Sequence, residues 1–358
     1  MSEVFFLPAS TAAGPYSVGQ KVARIFAALQ LTPGLRRRSL VALKVQVGER
    51  GRPAPLPPAW VQPLARQLAD AGMLPFFTDT CALQRGHLSN GVLHARAAHD
   101  RGFEPVSAGA PYLVADGLAG EAAVRVPVPG RNGRSATVAQ LAVRADALVT
   151  VAHVTGHLQS GLGGVLMALG HGLASRAGKL DQSEALRPRV DTPMCAGCGV
   201  CLEICNFDAI RLEGGRAVID QARCTGCGQC MTVCYMEGIR PDIARGSPVF
   251  QERVAEHAAA VLRGKEGRTG HLALLMRVTN HADSVGRSER PLFPDIGVLA
   301  ATDPVALDQA VLDLVARETG RPLTAWTDRQ PDPEPLLAHA EALGVGSRSY
   351  RLAQLPAD

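Results

Sequence analysis

Eight of the nine cysteines fall into two runs of identical spacing, Cys195, Cys198, Cys201, Cys205 and then Cys224, Cys227, Cys230, Cys234. In each run three thiolates recur at three-residue steps and a fourth follows four residues on. Three such thiolates in a tight loop wrap one face of an iron-sulfur cubane, while the fourth, a helical turn further along, points toward a neighbouring cubane. The spacing therefore predicts two 4Fe-4S clusters with exchanged last ligands. Cys195, Cys198, Cys201 and Cys234 would hold one, and Cys224, Cys227, Cys230 and Cys205 the other. Zinc also uses Cys-x-x-Cys pairs, but four ligands per ion leave the third closely spaced cysteine of each run surplus. Disulfides compete less well, because a long, ordinary globular sequence has no need of staples. Gly197, Gly199, Gly226 and Gly228 let the loops turn tightly and aim backbone N–H groups at sulfur. Asn206 and Tyr235 stand where a proline usually follows the fourth cysteine; they remove no ligand.

A second candidate site lies upstream. Gly161, Gly163 and Gly164, with Lys44 or Lys179 supplying charge, could cradle a phosphate or carboxylate on the N–H groups of a helix start. His153, His157 and His171 surround this stretch. On a helix His153 and His157 would share a face and could bind a metal, but a strand end running into a glycine-rich loop breaks that geometry. Asp79, Asp116, Asp283, Asp295 and Asp303 follow strands or begin helices, where α/β proteins place ligand-binding groups, although Asp303 before Pro304 reads first as a helix cap. The lone Cys81 reads as a small buried hydrophobe rather than a nucleophile. No GxGxxG dinucleotide motif follows the N-terminal strand.

These groups need a scaffold, and the 358 residues supply the pattern of one. Short apolar runs at 4–7, 40–47, 74–78 and 147–152 read as strands; amphipathic stretches at 17–29, 60–71 and 90–101 read as helices. Pro57, Pro58 and Gly72 punctuate the second helix. Residues 122–126 and 136–143 read as further strands around a loop at 127–133. Residues 209–212 and 217–220 flank Gly214 and Gly215 as a hairpin between the two cysteine runs. Afterwards a helix at 249–262, strands at 271–278 and 297–300, and a helix at 303–317 resume the α/β rhythm. The expected fold is α/β, a mostly parallel or mixed sheet flanked by helices, with an inserted α+β two-cluster ferredoxin-like domain. The boundaries are 1–187 and 246–358 for the α/β domain and 188–245 for the insertion.

Composition narrows the function. Hydrophobic residues make up 46% and no stretch reaches the apolar length of a membrane span, so neither insertion nor, for want of a basic and apolar leader, secretion is expected. The reading is cytoplasmic, in keeping with reduced thiols. A net charge of +4, scattered arginines and 4% aromatic residues give no basic stripe or stacking platform for nucleic acid.

With these residues in view the chain resembles domain-of-unknown-function family 362, uncharacterised iron-sulfur centre proteins. The resemblance rests on "ALKVQVGERG" at 42–51, "FFTDT" at 76–80, "YLVADGLAG" at 112–120, "GHLQSGLGGVLMALGHGLASRAGK" at 156–179, "PDIGVLAATDPVALDQA" at 294–310 and the two cysteine runs. It departs from the family pattern at Gln46, where a histidine is expected, at Met167 and Ala168 in place of lysine and asparagine, and at Ala282, Asp283 and Ser284 in place of Cys-Asp-Cys. The His- and Gly-rich stretch is also loosely similar to that of nickel-pincer lactate racemase proteins. The expected function is electron transfer through two 4Fe-4S clusters to or from a site or a redox partner at the α/β domain, as an oxidoreductase or its subunit. The alternative is a non-catalytic ferredoxin-like carrier or docking partner of a redox enzyme.

Overall fold

The computed structural model describes residues 1–48, 56–83, 86–131, 135–240, 243–283, 289–327 and 331–356. In chain order the strands are β1 (Ser2–Pro8), β2 (Leu40–Lys44), β3 (Leu74–Asp79), β4 (Tyr112–Val114), β5 (Ala123–Pro127), β6 (Ser135–Ala139) and β7 (Ala147–His153). They continue with β8 (Arg189–Val190), β9 (Ile210–Glu213), β10 (Arg216–Ile219), β11 (Ile239–Arg240), β12 (Thr269–Leu275), β13 (Gly297–Ala301) and β14 (Tyr350–Gln354). Eight of these form one sheet in the order β14-β1-β13-β12-β7-β2-β3-β4. All neighbouring strands in it are parallel except at β13, which runs antiparallel to both β1 and β12.

The helices are α1 (Pro15–Ala28), α2 (Pro58–Asp70), α3 (Gly91–Asp100), α4 (Pro105–Ala108), α5 (Gln140–Arg144), α6 (Val165–Gly170) and α7 (Arg176–Ser183). After them come α8 (Val200–Ile204), α9 (Gln229–Val233), α10 (Ile243–Leu262), α11 (Pro304–Thr319), α12 (Leu323–Trp326) and α13 (Glu334–Ala342). They cover both faces of the sheet. Alternation along β2 sends Val41 and Leu43 into a core shared with Val22 and Phe26 of α1 and Leu64 of α2. The intervening Ala42 faces a core built with Phe250 of α10 and Val305 of α11. Because both faces are covered, every residue of β7 is buried, as parallel sheets require. Each Val or Leu so placed contributes roughly 1.5–3 kcal/mol of apolar burial.

Between α7 and α10 the chain leaves the sheet. β8 pairs with β11, Val190 opposite Ile239, so this excursion begins and ends at one place. Within it β9 and β10 form a hairpin turning at Gly214 and Gly215, whose φ values of 55° and 75° suit a tight two-residue turn. β7, before the excursion, and β12, after it, are parallel neighbours in the sheet.

The expected strand at 136–143 is a correction: pairing with β5 stops at Ala139 and residues Gln140–Arg144 turn into α5. Leu141, Ala142 and Val143 are apolar in any periodicity, so pattern does not separate strand from helix there. β4, β14 and α13 are further elements the pattern did not reveal, β4 being an edge strand of three residues and β14 an edge strand of mixed polarity. Among the described residues no helix is long and apolar enough to cross a membrane.

Candidate functional site

Lys44 ends β2, Asp79 ends β3 and His153 ends β7, so the parallel strands deliver all three to the carboxyl edge of the sheet. From β2 the chain winds outward to β3 and β4, then returns to β7 on the other side. Such a reversal opens a crevice where α/β proteins bind ligands. Here it holds a cavity of about 160 Å³ whose wall includes Lys44, Asp79, His157, His171 and Lys179.

Each charged or basic group there has defined partners. Lys44 Nζ lies 3.1 Å from Asp79 Oδ1 and donates to Val45 O at 3.0 Å. Lys179 Nζ donates to Cys81 O at 2.7 Å; burial lowers its pKa against the pull of Asp116 and Asp79. Burial holds His171 down at about 3 and His157 at about 4, so both rings are neutral. Their tautomers are opposite. Gln182 donates through Nε2 to Gly170 O, which turns its Oε1 toward His171 Nδ1 at 2.7 Å and fixes the proton there, leaving Nε2 a bare acceptor. His157 Nδ1 accepts from the Gln159 N–H at 3.2 Å, so its proton sits on Nε2. The cavity is thus offered one imidazole donor and one imidazole acceptor.

His153 is spent on structure. Its Nε2 donates to Met276 O at 2.8 Å and its Nδ1 lies 2.9 Å from Asp283 Oδ2. Burial alone would lower its pKa, but the Asp283 carboxylate and these bonds hold it above the usual histidine value. A shared helical face with His157 does not exist, since β7 ends at His153. Of the other aspartates, Asp295 accepts from Thr11 and from the Arg277 N–H. Asp303 caps α11 through Val305 and Ala306 and also accepts from Ser347 N–H. Asp116 accepts from the Cys81 N–H at 2.8 Å, with its other oxygen buried and unbonded. Cys81 is buried and its thiol is pushed up to about 12 by burial and by Asp116, which suits a core residue and not a nucleophile.

The glycine-rich loop lies beside the cavity, but several of its amides already have acceptors within the protein. Gly161 donates to His157 O at 2.7 Å and Gly163 to Thr155 O at 2.8 Å. Val165 and Leu166, the first residues of α6, both donate to the buried carboxylate of Asp308 at 2.8 Å. The expected anion cradle on backbone N–H groups is therefore already filled by the protein's own Asp308. The glycines serve close approach: a Cβ on Gly161 would stand 1.9 Å from Pro331 O, and one on Gly164 2.4 Å from Asp308 Oδ1. Gly163 and Gly164 still line the cavity, together with Lys44 and Lys179. Sequence reasoning missed Asp308 and Gln182, whose roles follow from α11 and α7 packing at the site and leave no local spacing signal.

The positions at which the chain departs from the family pattern converge. Gln46, Met167, Ala168 and Ala282 all line this one cavity; Ser284 lies outside the described residues. The loop of the second cysteine run also forms part of the wall, contributing Cys227, Gly228 and Met231. A Cβ on Gly226 would meet Ser183 O at 2.1 Å, and one on Gly228 would meet Gln159 Nε2 at 3.1 Å, so this loop is pressed onto the α/β body. Gln229 Nε2 and, at 3.5 Å, Asn206 Nδ2 donate to Leu83 O, tying both cysteine runs to the loop after β3. Asn206 thereby gains an anchoring contact that a proline there could not make. The loop of the first run faces outward instead: Gly197 approaches the hairpin at Gly215, and Cys198 is exposed.

All eight thiols are free. Thiols of the two runs lie within electrostatic reach of one another: Cys201 feels Cys198, Cys234 and Cys195, Cys227 feels Cys224 and Cys205, and Cys230 feels Cys227, Cys224, Cys201 and Cys205. Cys205, Cys224, Cys227 and Cys230 line a single small cavity with Ile210 and Ile219. Backbone N–H groups of Ala217, Ala209 and Gly226 donate to the sulfurs of Cys195, Cys205 and Cys224, each at 3.4 Å. Among the described residues no three His, Cys, Asp or Glu side chains converge as a single metal ion would need.

Fold and site together define an α/β protein with a lysine- and histidine-walled pocket at its sheet edge, abutted by a cysteine-rich excursion of the chain. Residues 41–313 match the family described as Domain of unknown function (DUF362), and the chain belongs to that family. No curated protein matches it. Among solved structures it is similar to the lactate racemase apoprotein from Thermoanaerobacterium thermosaccharolyticum, at 12% identity over 78% of this chain and 51% of that one, with a TM-score of 0.36. It is also similar to a protein from Thermotoga maritima solved by a structural genomics consortium, at 9% identity over 86% of this chain and 59% of that one, TM-score 0.44. The chain thus spans between half and two thirds of those proteins, and likeness at this level assigns no chemistry.

Proposed function

We propose that the chain is an iron-sulfur electron-transfer protein in which two 4Fe-4S clusters carry single electrons to or from the sheet-edge pocket. Cys195, Cys198, Cys201 and Cys234 would hold the outer cluster, and Cys224, Cys227, Cys230 and Cys205 the inner one. The observation that carries the proposal is the second cysteine loop standing as a wall of that pocket. The small cavity shared by Cys205, Cys224, Cys227 and Cys230 supports the ligand set of the inner cluster. When bound, each cluster supplies one-electron storage. The chain's own part is to hold the thiolates and soften their charge through N–H to sulfur bonds, which sets the potential. Exposure of Cys198 gives the outer cluster the side open to a redox partner protein or a small acceptor or donor.

A second reading is a carrier or docking partner without a reaction of its own. Gln46, Met167, Ala168 and Ala282 on the pocket wall favour it, because none of them is a proton carrier at neutral pH. Anaerobic purification followed by metal analysis tests the common core of both readings. About eight iron and about eight acid-labile sulfide per chain are expected; about two zinc ions and no sulfide would overturn it. Substrate-dependent bleaching of the brown absorbance by the protein alone separates an enzyme from a carrier.

A further inference from the structure

We propose that the sheet-edge pocket binds a small oxyanion, a carboxylate or a phosphate, and that its occupancy is coupled to the charge of the cluster beside it. The coupling rests on the electron-transfer reading; the anion site does not. Two ammonium groups and one carboxylate, Lys44, Lys179 and Asp79, line the cavity among the described residues. Asp79 is already committed to Lys44 at 3.1 Å. Lys179, only 5% exposed, donates to a neutral carbonyl, and Asp116, the other carboxylate acting on it, is itself engaged by the Cys81 N–H and does not line the cavity. A buried ammonium so placed favours an anion in the adjoining space, since the attraction is weakly screened there. His157 adds a neutral Nε2–H donor and His171 an acceptor, a pair that suits an oxyanion carrying one proton or hydroxyl. At about 160 Å³ the cavity is below the roughly 300 Å³ at which pockets for drug-sized ligands begin, which sets the ligand's size. Asp308 has taken the amides at the start of α6, so recognition falls to the side chains.

Cys227 and Gly228 share the cavity wall with these groups. An electron added to the inner cluster therefore repels the bound anion, and by reciprocity the anion lowers the cluster's potential. A preference of about tenfold for the oxidised protein equals a fall of about 59 mV for a one-electron couple.

The test is a redox titration of the anaerobic holoprotein, followed by EPR, in acetate, in inorganic phosphate and in chloride at matched ionic strength. A saturable fall in one cluster's potential with acetate or with phosphate, absent with chloride, is expected, and which of the two acts identifies the anion class. Lys179→Met should abolish the shift with iron and sulfide content unchanged, and Lys179→Arg should retain it. No shift with either anion, an equal shift with chloride, or an undiminished shift in folded Lys179→Met would overturn the proposal. If the variants do not fold, the wild-type titration decides alone. A preparation lacking sulfide sinks the electron-transfer reading and leaves the anion site to calorimetry with the same salts, where absence of saturable heat overturns it.

Discussion

At the scale of single residues, the site is made by groups whose charge is dictated by burial. The Lys44–Asp79 pair is 3% and 12% exposed at its side chains. Asp79→Asn should therefore strand a buried ammonium and cost about 3–5 kcal/mol in denaturant unfolding; a loss under 1 kcal/mol would contradict that placement. Histidines set the acid limb of stability. His171 and His157 fall from a usual 6.5 to about 3 and about 4 on folding, because burial disfavours the imidazolium. Their contribution is complete above 6.5 and is lost as pH falls toward those folded values, since only the unfolded chain takes up the proton. At pH 5 each should have removed roughly 2 kcal/mol. Urea midpoints for wild type and His171→Gln between pH 7 and 5 check this, with a flatter slope expected for the variant. The cysteine runs announced themselves in the sequence because ligand spacing is local. Asp308, Gln182 and the opposed histidine tautomers did not, because they depend on partners a hundred or more residues away or on which neighbour wins a hydrogen bond.

At the scale of elements, the stretch from β7 through α6 is where sequence and structure part most instructively. Its glycines read as an anion loop, yet their function is to let Pro331 and Asp308 come within contact of the backbone. Gly161 has φ 73°, and an alanine there would be strained and would collide with Pro331 O. Gly161→Ala should lower stability by about 1–3 kcal/mol, measurable as a fall in Tm. Asp308→Ala leaves the Val165 and Leu166 N–H groups buried and unbonded, at about 1–3 kcal/mol each. If Asp308→Ala instead proved neutral, the carboxylate would not be the cap of α6. The core strands β2, β3 and β7 were legible because doubly covered parallel strands are continuous apolar runs. The edge strands β4 and β14 were not: β4 is only three residues long, and β14 mixes Arg351 and Gln354 with apolar residues, so neither gives a run long or regular enough to read.

At the scale of the whole molecule, an excursion that leaves and rejoins the sheet between parallel neighbours β7 and β12 brings a cysteine loop to the mouth of the sheet's crevice. The two cysteine runs are equal in spacing and unequal in place: one faces solvent and the other faces the pocket. That inequality was invisible in the spacing, since it comes from the approach of Gly226 to Ser183 and of Gln229 to Leu83. It predicts that Cys227→Ser alters the EPR signal of the cluster whose potential responds to pocket ligands, whereas Cys198→Ser alters the other. The central claim, two adjacent cubanes with exchanged last ligands, is tested most directly by EPR of the fully reduced anaerobic protein beside its Cys205→Ser variant. Two magnetically coupled reduced clusters are expected in the wild type, with the variant perturbing the cluster of the second cysteine run and sparing that of the first. A single isolated signal in the wild type, or a Cys205→Ser change confined to the first run's cluster, would contradict it.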